Sequence, residues 1–155
     1  MNNLVFRLAR KLIENNLTIS GAESCTGGMV VSELVGFSGI SAVLNESYVT
    51  YSNESKIKIL SVNPVTLQQH GAVSAECVKE MVSGLKKISN ADICFAVSGI
   101  AGPDGGSIEK PVGTVFFAIL FNDEISVWEK LFDGDRNEVR SSSVVEVLTK
   151  ISNII

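Results

Sequence analysis

Two hydroxyl side chains, a thiol and two glycines stand together in the stretch GAESCTGGMV, residues 21–30. Ser24 and Thr26 are candidate nucleophiles or phosphate donors. A predicted strand, LTISGA, ends here and a predicted helix, GGMVVSELVG, begins, which is where α/β folds bind ligands. Gly27 and Gly28 allow close approach of a ligand, and free N–H groups at a helix start attract anions. A tight strand-to-helix turn explains the stretch equally well.

Cys25 lies beside Ser24, and adjacent residues of an extended segment point to opposite faces. We therefore expect at most one of the two to face a site. The chain has three cysteines, and their number and spacing predict neither a disulfide framework nor a zinc site.

A second candidate site is the stretch SGIAGPDGGSIEKPVGT, residues 98–114, which lies between two apolar predicted strands. Ordering so long and glycine-rich a loop costs much conformational entropy, and its N–H groups can form anion-binding concavities. A flexible surface loop is the alternative, but Pro103 and Pro111 stiffen the segment. We predict a binding function for the loop, with these candidate residues: Ser98, Gly99, Gly102, Gly105 and Gly106.

Tyr51 and Lys56 are five residues apart across a predicted strand-to-helix corner, in TYSNESK. A lysine that is desolvated in a pocket loses its proton more easily and can act as a general base. A neighbouring tyrosine can relay a proton or orient a substrate. From spacing alone, ordinary structural roles for both side chains are the better explanation, because functional lysines are rare.

Arg136 and Arg140 lie four residues apart in GDRNEVR, near the start of the last predicted helix. Such a pair can clamp a phosphate or carboxylate. Two solvated helix charges, partly balanced by Glu138, are the alternative. The sequence does not distinguish between the two arginines as anion ligands.

The elements that position these residues are predicted to follow the order helix, strand, helix, strand, two short helices, helix, three strands, helix. The last two strands form a hairpin about Asn122 and Asp123, and a strand is predicted over residues 41–52. Parallel βα units followed by a hairpin predict an α/β fold, with a mixed β-sheet covered by helices on both faces. At 155 residues the chain is expected to form one domain, 1–155.

Charge and hydropathy exclude several classes of partner. The net charge is -4 and lysine and arginine do not cluster, so direct nucleic-acid binding is not expected. No apolar run is long enough to span a bilayer, and no export signal precedes the first amphipathic helix. We therefore expect a cytoplasmic protein that acts on a small molecule.

The motifs AESCTGG, YSNESK, QHGAVS, SGIAGPDGGS…KPVGT and GDR occur in this order along the chain, and together they resemble the C-terminal domain family of CinA, the competence/damage-inducible proteins. The resemblance covers essentially the whole chain. It implies the family's fold and hydrolysis of the carboxamide of nicotinamide mononucleotide, a step in pyridine nucleotide recycling. It also implies a single-domain form, without the molybdopterin-binding-like domain of full-length CinA.

Carried onto this sequence, the resemblance implies Ser24 as nucleophile, Lys56 as base and Tyr51 as helper, with no metal and no cofactor. The two glycine loops, including Thr26, Gly27 and Gly28, are implied to hold the nucleotide together with an arginine of the last helix, for which Arg140 is the expected residue. Backbone N–H groups near Gly27 and Gly28 are the expected oxyanion donors. The sequence leaves open whether Thr26 or Ser98 shares the catalytic role.

Two other functions fit the same motifs. The loops could bind a nucleotide without hydrolysing it, as a sensor or partner module. The chain could also serve an interaction linked to competence or DNA damage. A homo-oligomer is expected, although no motif marks its contacts.

Overall fold

The computed structural model describes residues 1–155, apart from the side chain of residue 2. The strands are β1 (Ile19–Glu23), β2 (Tyr48–Val49), β3 (Ile93–Gly99), β4 (Thr114–Phe121) and β5 (Glu124–Leu131). The α-helices are α1 (Asn2–Glu14), α2 (Met29–Val35), α3 (Asn53–Leu60), α4 (Pro64–His70), α5 (Ala75–Ser89) and α6 (Arg136–Ile154). None of the described helices is both long and apolar enough to cross a membrane.

The strands form one mixed sheet in the order β2-β1-β3-β4-β5. β2, β1 and β3 run parallel to one another, whereas β4 is antiparallel to both β3 and β5. Because β1 and β3 are parallel and adjacent, their carboxyl ends lie side by side at one edge of the sheet. The predicted α/β class with a mixed sheet is confirmed.

Helices cover both faces of the sheet, as expected. Successive side chains of β3 point to opposite faces of the sheet. Phe95 and Val97 pack into a core with α1, α2 and α6, whereas Cys94 and Ala96 pack into a second core with α3, α4 and α5. The sheet is therefore buried on both sides, which explains the continuous apolar character of β3.

Local signals set the starts of α3 and α6 and the predicted hairpin turn, which is confirmed. The Ser52 hydroxyl caps α3 by accepting from the Ser55 N–H, and Asp135 forms a capping box with Glu138 at the start of α6. Asn122 and Asp123 both have positive φ, as the tight turn between β4 and β5 requires.

The strand predicted over residues 41–52 is wrong for most of its length. A 3-10 turn, Ile40–Ala42, opens the segment, which joins the sheet through an isolated bridge between Leu44 and Ile19 and through the two residues of β2. Between the bridge and β2, side chains replace strand pairing, because the Ser20 hydroxyl donates to the Glu46 carbonyl and Ser47 Oγ accepts from the Gly21 N–H. The β-branched composition therefore reflects packing at the sheet edge.

A single close approach fixes α3 against α5. A Cβ at Gly84 of α5 would lie 1.8 Å from the Leu60 carbonyl oxygen at the end of α3, so only glycine fits there. This contact packs the helix that carries Lys56 against α5, which in turn packs on the sheet.

Candidate active site

A cleft of about 210 Å³ lies at the carboxyl ends of β1 and β3. It is lined by Ser24, Cys25, Tyr51, Lys56, Ala72, Val73, Ser98, Gly99, Ala101 and Arg136. These residues come from five separate stretches of the chain. The sheet edge where the sequence predicted a site therefore does carry a cleft, with hydroxyl and amino groups inside it.

Ser24 and Lys56 meet inside this cleft. Ser24 follows the last residue of β1, and Lys56 lies on α3; they are 8% and 1% exposed. The Lys56 ammonium donates to Ser24 Oγ at 3.0 Å, to the Thr50 carbonyl at 2.7 Å and to the Tyr51 carbonyl at 3.4 Å. Each of the three N–H groups of the ammonium thus has a neutral acceptor.

Burial lowers the pKa of Lys56, because removing the ammonium from water disfavours its charged form. The ion pairs found among the described residues do not include this lysine. Burial also raises the pKa of the Cys25 thiol to about 12 and that of Cys77 to about 11, so both neighbouring thiols stay neutral. The environment therefore favours an uncharged amine next to Ser24.

Tyr51 forms the mouth of the cleft rather than its floor, since it is 63% exposed. Its hydroxyl accepts a hydrogen bond from Arg136 Nη2 at 3.1 Å. Arg136 Nη1 donates to the Gly102 carbonyl at 2.7 Å, so the guanidinium joins α6, the Tyr51 corner and the glycine loop, residues 100–113. The exposed side of the cleft therefore carries a positive charge.

Ser98 and Gly99, at the end of β3, also line the cleft. The buried Ser98 hydroxyl donates to the Ala72 carbonyl at 2.8 Å, which ties β3 to the segment between α4 and α5. No lysine amine contacts this hydroxyl among the described hydrogen bonds, in contrast to that of Ser24.

Thr26, Gly27 and Gly28 are not part of the described cleft lining, and Thr26 is fully buried. The N–H groups expected to be free at the start of α2 are occupied. The Gly27 N–H donates to the Ser24 carbonyl at 3.1 Å, and the Gly28 N–H donates to the Glu23 carboxylate at 2.9 Å. The expectation of free anion-binding N–H groups at these glycines is therefore wrong, because a carboxylate of the chain itself occupies the position.

Arg140 likewise lies outside the described lining. Its Nε donates to the Cys25 carbonyl at 3.1 Å and its Nη2 to the Thr26 carbonyl at 3.0 Å. Gly102 is buried behind the lining, and Gly105 and Gly106 are exposed on the glycine loop. Of the two arginines four residues apart, only Arg136 faces the cleft.

Several lining residues carried no sequence assignment. Ala72 and Val73 lie in the QHGAVS motif, whose recurrence in the family was the available signal, and Ala101 lies in the glycine loop. Ser24 and Cys25 both line the cleft, and Cys25 also packs in the core that contains α1, α2 and α6. Both lie in the turn after β1, where the alternation of an extended strand no longer applies.

A larger cavity, about 430 Å³, lies between α1 and α2. Apart from Ser32 and Glu33, its lining consists of Val5, Phe6, Gly36 and Phe37. The described residues include no group of three or more histidine, cysteine or acidic side chains placed to hold a metal ion. The smaller cleft, with its buried amine and hydroxyl, is the better candidate for chemistry.

The comparisons with known proteins all indicate the same family. The family model described as the CinA C-terminal domain matches residues 1–155. A putative competence-damage inducible protein of Clostridium beijerinckii is 47% identical over 148 residues, covering 96% of this chain and 36% of the relative. A CinA-like protein of Petrotoga mobilis is 48% identical over 144 residues, covering 93% of this chain and 36% of the relative. The chain thus spans about a third of the length of these curated relatives.

Solved structures agree with the sequence comparison. A competence-damaged protein (CinA) superfamily protein from Klebsiella pneumoniae superposes with a TM-score of 0.94 at 38% identity, covering 98% of this chain and 95% of that one. A CinA superfamily protein from Escherichia coli superposes with a TM-score of 0.95 at 32% identity, covering 99% and 90%. By its sequence over its whole length and by its fold, this chain belongs to the CinA C-terminal domain family.

Proposed function

We propose that this chain is an amidase that hydrolyses the carboxamide of nicotinamide mononucleotide to nicotinate mononucleotide and ammonia. The observation that carries the proposal is the 3.0 Å contact between Lys56 Nζ and Ser24 Oγ, both buried in one cleft. A serine nucleophile with a lysine base is a known variant of triad chemistry. The ordered motifs support the choice of substrate, and the buried pair supports the type of reaction.

Lys56 acts as the general base in its neutral form. When the amine has lost one proton, its two remaining hydrogens can stay on the carbonyls of Thr50 and Tyr51, which leaves the lone pair facing the Ser24 hydroxyl. Lys56 then takes the hydroxyl proton as Ser24 Oγ bonds to the amide carbon. The two backbone carbonyls therefore accept the hydrogen bonds of the amine and also orient its lone pair.

The oxyanion requires N–H donors other than those of Gly27 and Gly28. The Cys25 N–H has no acceptor among the described backbone hydrogen bonds. It directly follows the nucleophile and belongs to a residue that lines the cleft. We assign it as an oxyanion donor.

The remaining steps return the pair to its starting state. The C–N bond breaks as Lys56 passes its proton to the amide nitrogen, and ammonia leaves. A water molecule then attacks the acyl ester, Lys56 takes the water proton, and Ser24 regains its hydrogen as nicotinate mononucleotide departs. No external oxidant, reductant or metal is needed for this balance.

The anionic part of the substrate lies at the mouth of the cleft. At about 210 Å³ the cleft is smaller than typical pockets for whole drug-sized ligands, so it suits a ring-sized portion of a nucleotide. Glu23 excludes a phosphate from the start of α2. Arg136, exposed at the mouth beside Tyr51, is the arginine free to meet it, and Tyr51 orients the substrate between this charge and Ser24.

Assembly of this chain into a homo-oligomer stays a prediction.

The test is product formation from nicotinamide mononucleotide, followed as ammonia and nicotinate mononucleotide by chromatography. Ser24→Ala and Lys56→Ala should each lower kcat by about 10³-fold or more while circular dichroism stays native. Ser141→Ala, an exposed serine on α6, is the matched control and should remain active. Tight calorimetric binding of the nucleotide without product over long incubation would instead support the binding-module alternative, and normal turnover by both site variants would refute the assigned roles.

A further inference from the structure

A buried carboxylate holds the loop that carries Ser24. Glu23 is 1% exposed, and its oxygens accept from the N–H groups of Gly28 at 2.9 Å, Val30 at 3.2 Å and Val31 at 3.0 Å. The three donors span the end of the loop and the first turn of α2. The side chain that precedes the nucleophile therefore also anchors the helix that follows it.

A guanidinium holds the same loop from the other side. Arg140 of α6 donates to the carbonyls of Cys25 and Thr26, the two residues directly after Ser24. The Ser24 N–H donates to the Val97 carbonyl at 2.9 Å, which fixes the loop to β3. The backbone around the nucleophile is thus bound to three separate elements.

Helix capping alone does not require a buried charge here. Elsewhere in the chain α3, α4 and α5 are capped by neutral side chains at their own N-cap positions, Ser52, Asn63 and Ser74. At α2 the N-cap is Gly28, and the acceptor is a carboxylate five residues earlier. Burying a carboxylate carries a desolvation penalty that a neutral cap avoids. The arrangement suits a segment whose position must be held closely.

We propose that Glu23 and Arg140 are positioning residues that fix Ser24 Oγ against Lys56. Glu23 acts on the N–H groups of the loop and Arg140 on its carbonyls, and neither lines the cleft among the described residues. The proposal rests on Ser24 being the nucleophile of the proposed amidase. A displacement of the hydroxyl by about 1 Å is enough to lower a rate by about 10²-fold.

The reactivity of Ser24 can be measured without the proposed substrate, with a fluorophosphonate probe. The serine oxygen bonds to phosphorus, fluoride leaves, and mass spectrometry locates and times the label. Glu23→Gln keeps the side-chain shape but turns an amide NH₂ toward N–H donors, and Arg140→Met removes the two donors from the carbonyls. Each should lower the labelling rate and kcat by about 10-fold or more, with KM for nicotinamide mononucleotide changed less than about 3-fold.

Chemical rescue separates positioning from general destabilisation. Glu23→Ala opens a space of carboxylate size beside the three N–H groups, and added formate should restore labelling of this variant by several-fold without affecting Arg140→Met. Glu129→Gln, at an exposed glutamate on β5, is the matched control and should label as the wild-type protein does.

The proposal is overturned if folded Glu23→Gln and Arg140→Met label Ser24 at the wild-type rate. If the Glu23 variants fail to fold, Arg140→Met decides the matter, because Arg140 lies partly at the surface. A wild-type protein that labels at Ser24 but does not hydrolyse the nucleotide would refute the proposed substrate. In that case the relative labelling rates would still decide whether Glu23 and Arg140 position the serine.

Discussion

The candidate site has a buried half, Ser24 and Lys56, and an exposed half, Tyr51, Arg136 and the glycine loop. Lys56 is 1% exposed and Tyr51 is 63% exposed, although they are only five residues apart. The backbone beside Ser24 is held by hydrogen bonds from β3 and α6 and by the Glu23 carboxylate. The glycine loop, in contrast, is tied at a few points, among them the Gly102 carbonyl and Lys110.

This difference suits the proposed amidase. Removal from water lowers the pKa of a lysine, and a fixed backbone orients a hydroxyl, so an interior position suits the proposed reacting pair. In the proposed reaction, admitting a charged nucleotide and releasing its product require access to solvent, which suits recognising groups at the surface. We therefore expect changes in the buried half to act on the chemical step and changes in the exposed half to act on binding.

The largest effect is expected at Lys56. Lys56→Met removes the base, and Lys56→Arg keeps a positive charge that cannot be lost, so both should lower kcat by about 10³-fold. Because the neutral amine is the active form in the proposed mechanism, kcat/KM of the wild-type protein should rise with pH. Burial lowers the pKa of Lys56, so the rise should lie below the ordinary lysine value of 10.5.

The measurement is kcat/KM across a pH series, with circular dichroism at each pH to confirm folding. Appreciable activity in Lys56→Arg would mean that the lysine serves only as a fixed charge. A pH profile that rises only near the ordinary lysine value would contradict the effect of burial.

Substituting one glycine in each half of the site compares the two halves more directly. Gly27 beside the nucleophile has φ of +62°, and Gly105 on the glycine loop has φ of +93°. A Cβ would lie 3.5 Å from Arg140 Nη2 at the first and 3.6 Å from Ile100 Cγ2 at the second, which is ordinary contact in both cases. The two alanine substitutions therefore impose similar backbone strain in different halves of the site.

Gly27→Ala and Gly105→Ala should each destabilise the protein by about 1 kcal/mol, seen as similar decreases in Tm. Only Gly27→Ala should lower kcat, by about 10-fold, because only Gly27 belongs to the loop that holds Ser24. Equal losses of kcat would show that the glycine loop is as closely coupled to the chemistry as the nucleophile loop.

How far the sequence predicts this molecule depends on the range of the interactions. The caps at Ser52 and Asp135 and the turn at Asn122 and Asp123 are set by neighbouring residues, and the predicted turn was confirmed. The strand predicted over residues 41–52 forms only in part, because between the Leu44 bridge and β2 the segment bonds Ser20 and Gly21 through side chains, across 26 residues of sequence. The amino-acid composition of the segment does not indicate that side-chain hydrogen bonds replace backbone pairing there.

The site follows the same rule. Residue types and motif order were enough to nominate Ser24 and Lys56, which the structure brings together. Nothing in the spacing of Arg136 and Arg140 indicates that one faces the cleft while the other binds carbonyls more than 110 residues earlier in the chain. The sequence also did not predict that the Glu23 carboxylate accepts the N–H groups at the start of α2, because a glutamate at the end of a strand has many possible partners.

A smaller effect is expected from loosening the exposed half. Lys110 Nζ donates to the His70 carbonyl at 2.8 Å and thereby ties the glycine loop to the end of α4. Lys110→Met should raise KM about 5-fold with little change in kcat, because one hydrogen bond contributes about 1 kcal/mol to holding the loop. Lys79→Met, at an exposed lysine of α5, is the control. A fall in kcat with unchanged KM would place Lys110 with the buried half instead.

The smallest effect is expected at Ile108, which is 97% exposed on the glycine loop. Ile108→Ser removes almost no buried apolar area, so the free energy of unfolding should change by less than about 0.5 kcal/mol. If the exposed half binds through the groups that line the cleft, KM should also stay within about 2-fold, since Ile108 is not among them. A clear rise in KM would show that the tip of the loop closes over the bound nucleotide, and the exposed half would then become partly buried during turnover.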